Sequence, residues 1–368
     1  MKSYIVGGAV RDKILNITNK DVDYVVVGST IEEMFAHGFQ QVGCDFPVFI
    51  HPETGDEYAL ARTEKKTGNG YQGFTCDFNS SISLEQDLNR RDFSINSIAF
   101  DEESNTFVDP CNGIADIHNR IIRHTGSHFA EDPVRILRAA RFLARYHKFG
   151  FTIHPDTMRY MTELVSEGGL KHLTKERIVL EMQKACTEDN PELFFQVIYE
   201  VDGFNDIFGF IPTTQQMNAF YTDVKNGKKT FERIIPVMYF YVNAEAFNKF
   251  MSKYTFPVEV KNNYIRCRNC FPSFLKFHEV ESAIKFYNLV GAKRYNHQAV
   301  LDFYDIASNV CSHSHLAKVS YTVSYVMQSV NENMKKFTKN NPTLEGSLIG
   351  KQLDKFIQDE LSYILVGN

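Results

Sequence analysis

Short apolar runs come first in this chain, and helical periodicities take over later. Residues 3–6 (Ser-Tyr-Ile-Val) are an apolar run that ends at once in Gly7-Gly8. This predicts a strand and a tight turn, then a helix over 10–15 and a second strand over 21–27. A helix is expected over 30–38, with Thr30 as its N-cap and Glu32 and Glu33 in the first turn. Residues 46–51 and 57–62 read as further strands of the same sheet. The stretch 62–75 (RTEKKTGNGYQGFT) has nothing to pack a core and reads as a mobile surface loop. Residues 83–99 read as one helix, with Leu84, Leu88, Ile95 and Ile98 apolar, and 107–116 as a strand, a turn and a short helix.

From Pro133 onward the spacing is helical. Pro133 suits a first helical position and Asp132 the N-cap before it. Another helix is expected over 172–186, with Thr174 as N-cap and Arg177 near the third position. Beyond Asn190 the pattern stays helical and rich in Phe and Tyr, with no fixed-period repeat and no low-complexity tract. Lys225 to Lys229 (KNGKK) is the best linker candidate there. The expected fold is α+β, with a small mixed sheet and helices on one face in a head over 1–125. An all-helical neck over 126–205 and a divergent helical body and tail over 206–368 follow.

Bulk properties narrow the picture. The 368 residues allow two or three domains, and 43% hydrophobic with 23% charged residues is an ordinary globular balance. A net charge of -5 argues against coating nucleic acid by bulk electrostatics, so any RNA must meet a local basic stripe. No run reaches the ~18–20 apolar residues of a membrane span. Seven scattered Cys, an odd number, suit reduced thiols and a cytoplasmic location.

The chemistry concentrates near the N-terminus. A strand, a Gly-Gly turn and a helix start present backbone N–H groups to an anionic phosphate. Asp21 and Asp23, two apart on a strand, share one face, and their hard oxygens suit Mg²⁺. A phosphate cradle beside a metal-binding pair is what phosphoryl or nucleotidyl transfer needs. Glu57 is a candidate third carboxylate. Arg90 and Arg91 lie about 100° apart on a helix, so one is expected to reach a triphosphate and the other to make an ion pair. Arg135, Arg138, Arg141 and Arg145 fall in a wedge of about 120°. Only Glu131 and Asp132 balance them locally, so the stripe wants an anion. Arg177, at the positive end of its helix, is expected to brace a carboxylate or another helix. Cys267, Cys270, Cys311, His313 and His315 have the residue types of a zinc site, with a core role the simpler reading.

These pieces resemble the DNA polymerase β-like nucleotidyltransferases and, within them, the bacterial class II tRNA nucleotidyltransferases, the CCA-adding enzymes, in their enterobacterial form. The resemblance covers roughly the first 200 residues, up to the blocks placed by the helical pattern. It is carried by Gly7-Gly8-Ala9-Val10-Arg11-Asp12, Asp21-Val22-Asp23, Arg62-Thr63-Glu64, Arg90-Arg91-Asp92-Phe93-Ser94-Ile95-Asn96 and Asp109-Pro110 with Asn112-Gly113. Glu131-Asp132-Pro133-Val134-Arg135-Ile136-Leu137-Arg138 and His172-Leu173-Thr174-Lys175-Glu176-Arg177 complete it. The resemblance implies addition of C, C and A to tRNA 3′ ends from CTP and ATP with Mg²⁺. It implies that Asp21 and Asp23 hold the metal, and that Gly8 and Arg11 contact phosphates. Arg91, Arg138 and Arg141 would contact the incoming nucleotide, and Asp132 and Arg135 would read its base edge.

No adjacent His-Asp pair occurs in the chain, so the HD-type phosphohydrolase centre of the enterobacterial relatives is not expected. A bacterial poly(A) polymerase and a CC-only or A-only enzyme are the nearest alternatives. A non-catalytic RNA-binding protein is disfavoured, because the Asp pair and the base-reading pair are both intact.

Overall fold

The computed structural model describes residues 1–18, 22–42, 48–66, 74–240, 244–307 and 313–367, without the side chains of 64–66, 74–76, 240, 244, 306 and 313. The chain divides into two compact units, Met1–Ile211 and Pro212–Asn368.

The first unit opens with β1 (Lys2–Val6), which runs into α1 (Gly8–Ile14) through Gly7, whose φ of 68° requires glycine. β2 (Asp23–Val27), α2 (Ile31–Ala36), β3 (Gln40–Val42), β4 (Val48–Ile50) and β5 (Glu57–Leu60) follow. Thr30 caps α2 in a full capping box with Glu33. β6 (Thr63–Lys66) and β7 (Phe74–Asp77) pair antiparallel, so the expected loop is in part a two-stranded ribbon. Its middle, 67–73, lies outside the described residues.

α3 (Leu84–Asn89) stops at Arg90, giving way to a 3₁₀ turn over Ser94–Asn96 and then to β8 (Ala99–Asp101). The helix expected over 83–99 is therefore a helix, a turn and a strand start. Its apolar residues pack from different elements, and that mixture imitates one helical face. β9 (Thr106–Val108), α4 (Gly113–His118) and β10 (Ile121–Ile122) close the head. The sheet order is β3-β4-β5-β2-β1-β8-β9, with β2 and β5 the parallel pair.

Both faces of the sheet are covered, where one was expected. Val25 packs with Leu84 and Leu88 of α3 on one side. Its neighbour Val26 packs with Met34 of α2 on the other.

The helices α5 (Val134–Tyr146), α6 (Pro155–Ser166), α7 (Lys175–Cys186), α8 (Glu192–Glu200) and α9 (Phe204–Phe208) complete the unit. The short β11 (Thr152–Ile153) pairs in parallel with β10, so this segment is not wholly helical.

The second unit consists of α10 (Thr214–Asn226), α11 (Phe231–Phe240), α12 (Ala244–Lys253), α13 (Val258–Leu275), α14 (Val280–Val290), α15 (His297–Ala307), α16 (His313–Asn340) and α17 (Gly346–Val366). Its core is aromatic, and Phe274, Phe286 and Phe303 meet pairwise at 5.0–5.6 Å. The expected linker, KNGKK, ends α10 and begins its connection to α11 inside this unit, whose first residue is Pro212.

Cys267 and Cys270 are buried on α13, and burial pushes the Cys270 thiol up to about 12. His315 Nε2 lies 2.9 Å from the Phe274 carbonyl oxygen. Cys311 and the His313 side chain lie outside the described residues, and no group of three or more metal-binding side chains forms among those described. No described helix is long and apolar enough to cross a membrane.

Candidate active site

One cleft of about 690 Å³ in the first unit brings together residues from β1, α1, β2, β5, α3 and α5. Its floor is set by strand register. Asp23 and Glu57 are paired positions on parallel β2 and β5, and both line the cleft. The alternation that sends Val25 into the core leaves Asp23 on the same face, exposed at the strand's start. Glu57, the candidate third carboxylate, thus stands exposed beside Asp23. Asp21 lies outside the described residues.

The Gly7-Gly8 turn forms one wall, as its pattern predicts, and Gly8 starts α1. A Cβ on Gly7 would sit 3.1 Å from Arg91 Nη1, so the turn lets the backbone approach that guanidinium closely. Arg11 is buried. It donates from Nη1 to Asn96 Oδ1 at 2.6 Å and from Nε to Asp12 Oδ1 at 2.9 Å. Tyr146 donates to the same Asp12 oxygen, and its ring lies 4.7 Å from the Arg11 guanidinium.

Arg90 and Arg91 both line the cleft and both pair with Asp87, so the ion pair expected of one of them is made by both. Because α3 ends at Arg90, the angular argument from a continuous helix does not apply. Arg90 takes Asp87 Oδ1 at 2.6 Å and Arg91 takes Oδ2 at 2.9 Å. Burial alone would raise the Asp87 carboxyl, but the two guanidiniums together hold it down to about 2.

The stripe on α5 is balanced from a distance. Arg138 Nε donates to Asp92 Oδ2 at 2.8 Å, and Arg141 Nε to Glu181 Oε2 at 2.6 Å. Glu188 lies 3.8 Å from Arg141 Nη1. Burial favours the neutral form of Asp92, yet Arg138, with Asn96 bonded to the carboxylate, holds it down to about 2. The Phe142 ring meets the guanidiniums of Arg11, Arg138 and Arg141 at 5.0–5.5 Å. These carboxylates come from elements far along the chain, so a local count of charge around α5 missed them. One signal was present in the sequence. Glu181 occupies a slot in the apolar periodicity of α7, beside Ile178, Met182 and Ala185, where a buried carboxylate needs a cation.

Asp132 is extended just before α5, and its Oδ1 accepts from the Val134 N–H at 3.2 Å. Arg177 donates to both carboxylate oxygens, at 2.9 and 2.6 Å, which is the brace its position suggested. Arg135 is buried, donating from Nη1 to the His128 carbonyl and from Nη2 to the Arg90 carbonyl, each at 2.7 Å. Every described residue expected for the nucleotide and metal site, from Gly8 to Arg177, lines this cleft. A wall of guanidiniums and N–H groups facing exposed carboxylates suits a polyanion held beside a divalent cation.

Residues 3–123 match the family model described as the Poly A polymerase head domain. Residues 150–214 match the model described as "Probable RNA and SrmB- binding site of polymerase A". A Multifunctional CCA protein of Mannheimia succiniciproducens is 55% identical over 208 residues, 56% of this chain and 49% of that protein. A CCA-adding enzyme of Actinobacillus succinogenes is 50% identical over 228 residues, 61% of this chain and 57% of that protein. The matched segment spans about half the length of such curated relatives. Among solved structures, the Thermotoga maritima CCA-adding enzyme complexed with tRNA superposes with a TM-score of 0.73 at 23% identity, covering 98% of this chain and 87% of that one. A CCA-adding enzyme with CTP gives a TM-score of 0.74 at 24% identity, again over 98% and 87%. That likeness extends the shared fold to the second unit, where the sequence had matched nothing recognisable.

Proposed function

We propose that this chain is a class II CCA-adding nucleotidyltransferase that adds CCA to tRNA 3′ ends from CTP and ATP in the cytoplasm, a reading supported by the match of its head domain and by its curated relatives. The observation that carries the reading is the meeting in one cleft of the Asp23–Glu57 floor, the Gly7-Gly8 turn with Arg11 and Arg91, and the Asp132–Arg135 pair.

Gly8 and the guanidiniums of Arg11, Arg91, Arg138 and Arg141 hold the triphosphate and turn its α-phosphorus toward the floor. The tRNA 3′-oxygen attacks that phosphorus, a new phosphodiester bond forms, and pyrophosphate leaves. Asp132 accepts from the amino group of C or A, and Arg135 donates to the neighbouring ring nitrogen or carbonyl. U and G present a carbonyl where C and A present that amino group, so they are turned away. Mg²⁺ fits the hard carboxylate oxygens of Asp21 and Asp23, with Glu57 in register alongside. Once bound, the ion supplies charge neutralisation at the phosphates and a more acidic 3′-hydroxyl.

The test is incubation of the chain with tRNA lacking its CCA end. Two residues should be added with CTP alone and three with CTP and ATP together, while Asp23→Asn should add none and keep a native circular dichroism spectrum. Long tails from ATP alone would favour the poly(A) polymerase reading, which the description of the head-domain match keeps in view. No incorporation under any condition would overturn both.

A further inference from the structure

The pair assigned to the base edge is itself held from behind. Arg177, third residue of α7, reaches Asp132 with a planar fork, Nη1 to Oδ1 and Nη2 to Oδ2. The Val134 N–H adds a bond to Oδ1. A carboxylate offers about four acceptor positions, so these three bonds leave one, on Oδ2. The fork also fixes the plane of the carboxylate, which a single point donor would not do. Arg135 is fixed comparably by the carbonyls of His128 and Arg90, so both readers are aimed before a nucleotide arrives.

Competing cations stand close. Arg138 shares α5 with Arg135, and the charge of Asp132 is among those that stabilise the Arg138 guanidinium. A carboxylate no longer held by Arg177 would turn toward these neighbours and withdraw its acceptor from the base.

Resting on the base-reading role proposed above, we infer that Arg177 is the positioning residue that sets nucleotide choice. It acts through Asp132, leaving one acceptor lone pair directed at an amino group. Its contribution is therefore to the ratio between nucleotides, beyond any tie between α7 and the start of α5.

The experiment measures kcat/KM for CTP and for UTP on tRNA ending at the discriminator base, using the full chain. Wild type is compared with Arg177→Met, Arg177→Lys and Asp132→Asn. We expect Arg177→Met to lower the CTP-to-UTP ratio at least tenfold. Arg177→Lys, which keeps the charge and loses the fork, should lower it less. If Asp132→Asn shifts the ratio and neither Arg177 variant does, the inference is overturned while the base-reading role stands. If Asp132→Asn leaves the ratio unchanged, the base-reading role itself falls, and this inference with it. An equal loss of activity toward both nucleotides in the Arg177 variants makes the residue a structural tie and also overturns the inference. Should Arg177→Met fail to fold, the Arg177→Lys ratio decides alone, an unchanged value counting against the proposal.

Discussion

Asp92 shows how a single carboxylate serves stability and site together. It is buried, bonded by Arg138 and Asn96, and held down to about 2. Asp87, between Arg90 and Arg91, is held at a similar value. A carboxylate with a depressed folded value contributes stability that is complete above its unfolded value, ~3.9, and is lost as pH falls through the folded one. The window here therefore lies between about pH 4 and pH 2. We expect the urea midpoint of the wild type to fall steeply across that range. Asp92→Asn, which cannot take up a proton there, should be less stable at neutral pH and show a flatter decline. A parallel decline in both proteins would show that Asp92 is not responsible. The Asp92–Arg138 pair was not legible from the block Arg90-Arg91-Asp92, because Arg138 lies on α5, 46 residues along.

At the scale of elements, the head depends on close approaches that the sequence marks only as glycines. Gly113 begins α4, and its N–H and that of Ile114 are capped by Asp109 at 2.7 and 2.9 Å. A Cβ there would run into the Ser94 carbonyl of the 3₁₀ turn. Gly113→Ala should therefore destabilise the protein by roughly 1–3 kcal/mol through overpacking. Its denaturation midpoint checks this, and an unshifted midpoint would mean that α4 gives way easily. Elements whose signal is local were legible in the sequence: the strand before Gly7-Gly8, the Thr30 N-cap, and the helix near Pro133, which starts one residue later than expected, with Pro133 itself in the N-cap position. The run over 83–99 was misread because Leu84 and Leu88 come from a helix, whereas Ile95 belongs to a turn. Helical spacing of apolar residues does not distinguish one helix from three pieces folded round the same core. The site was legible as a set of residue types, while its internal pairings, the Arg177 brace on a carboxylate excepted, were not.

For the molecule as a whole, a net charge of -5 coexists with a cleft crowded with arginine. The arginines manage this by bringing fixed counter-charges with them, Asp87, Asp92, Glu181 and Glu188. An open arginine groove gathers mobile ions from the buffer and sheds them when an anion binds, so its affinity falls steeply with added salt. This cleft has tethered its ions, and far fewer are set loose. On the proposed function, nucleotide binding would be an exchange of partners within the protein, with little entropy gained from released salt. The affinity for CTP should therefore change only shallowly with ionic strength. Glu181→Gln, which removes a tethered charge from Arg141, should steepen the slope of log Kd against log salt. Titrations over a tenfold range of KCl would measure both slopes, and equal slopes would show that Glu181 does not act as a resident counter-ion. A cell whose ionic strength rises under osmotic stress would, on this arrangement, keep nucleotide in the cleft.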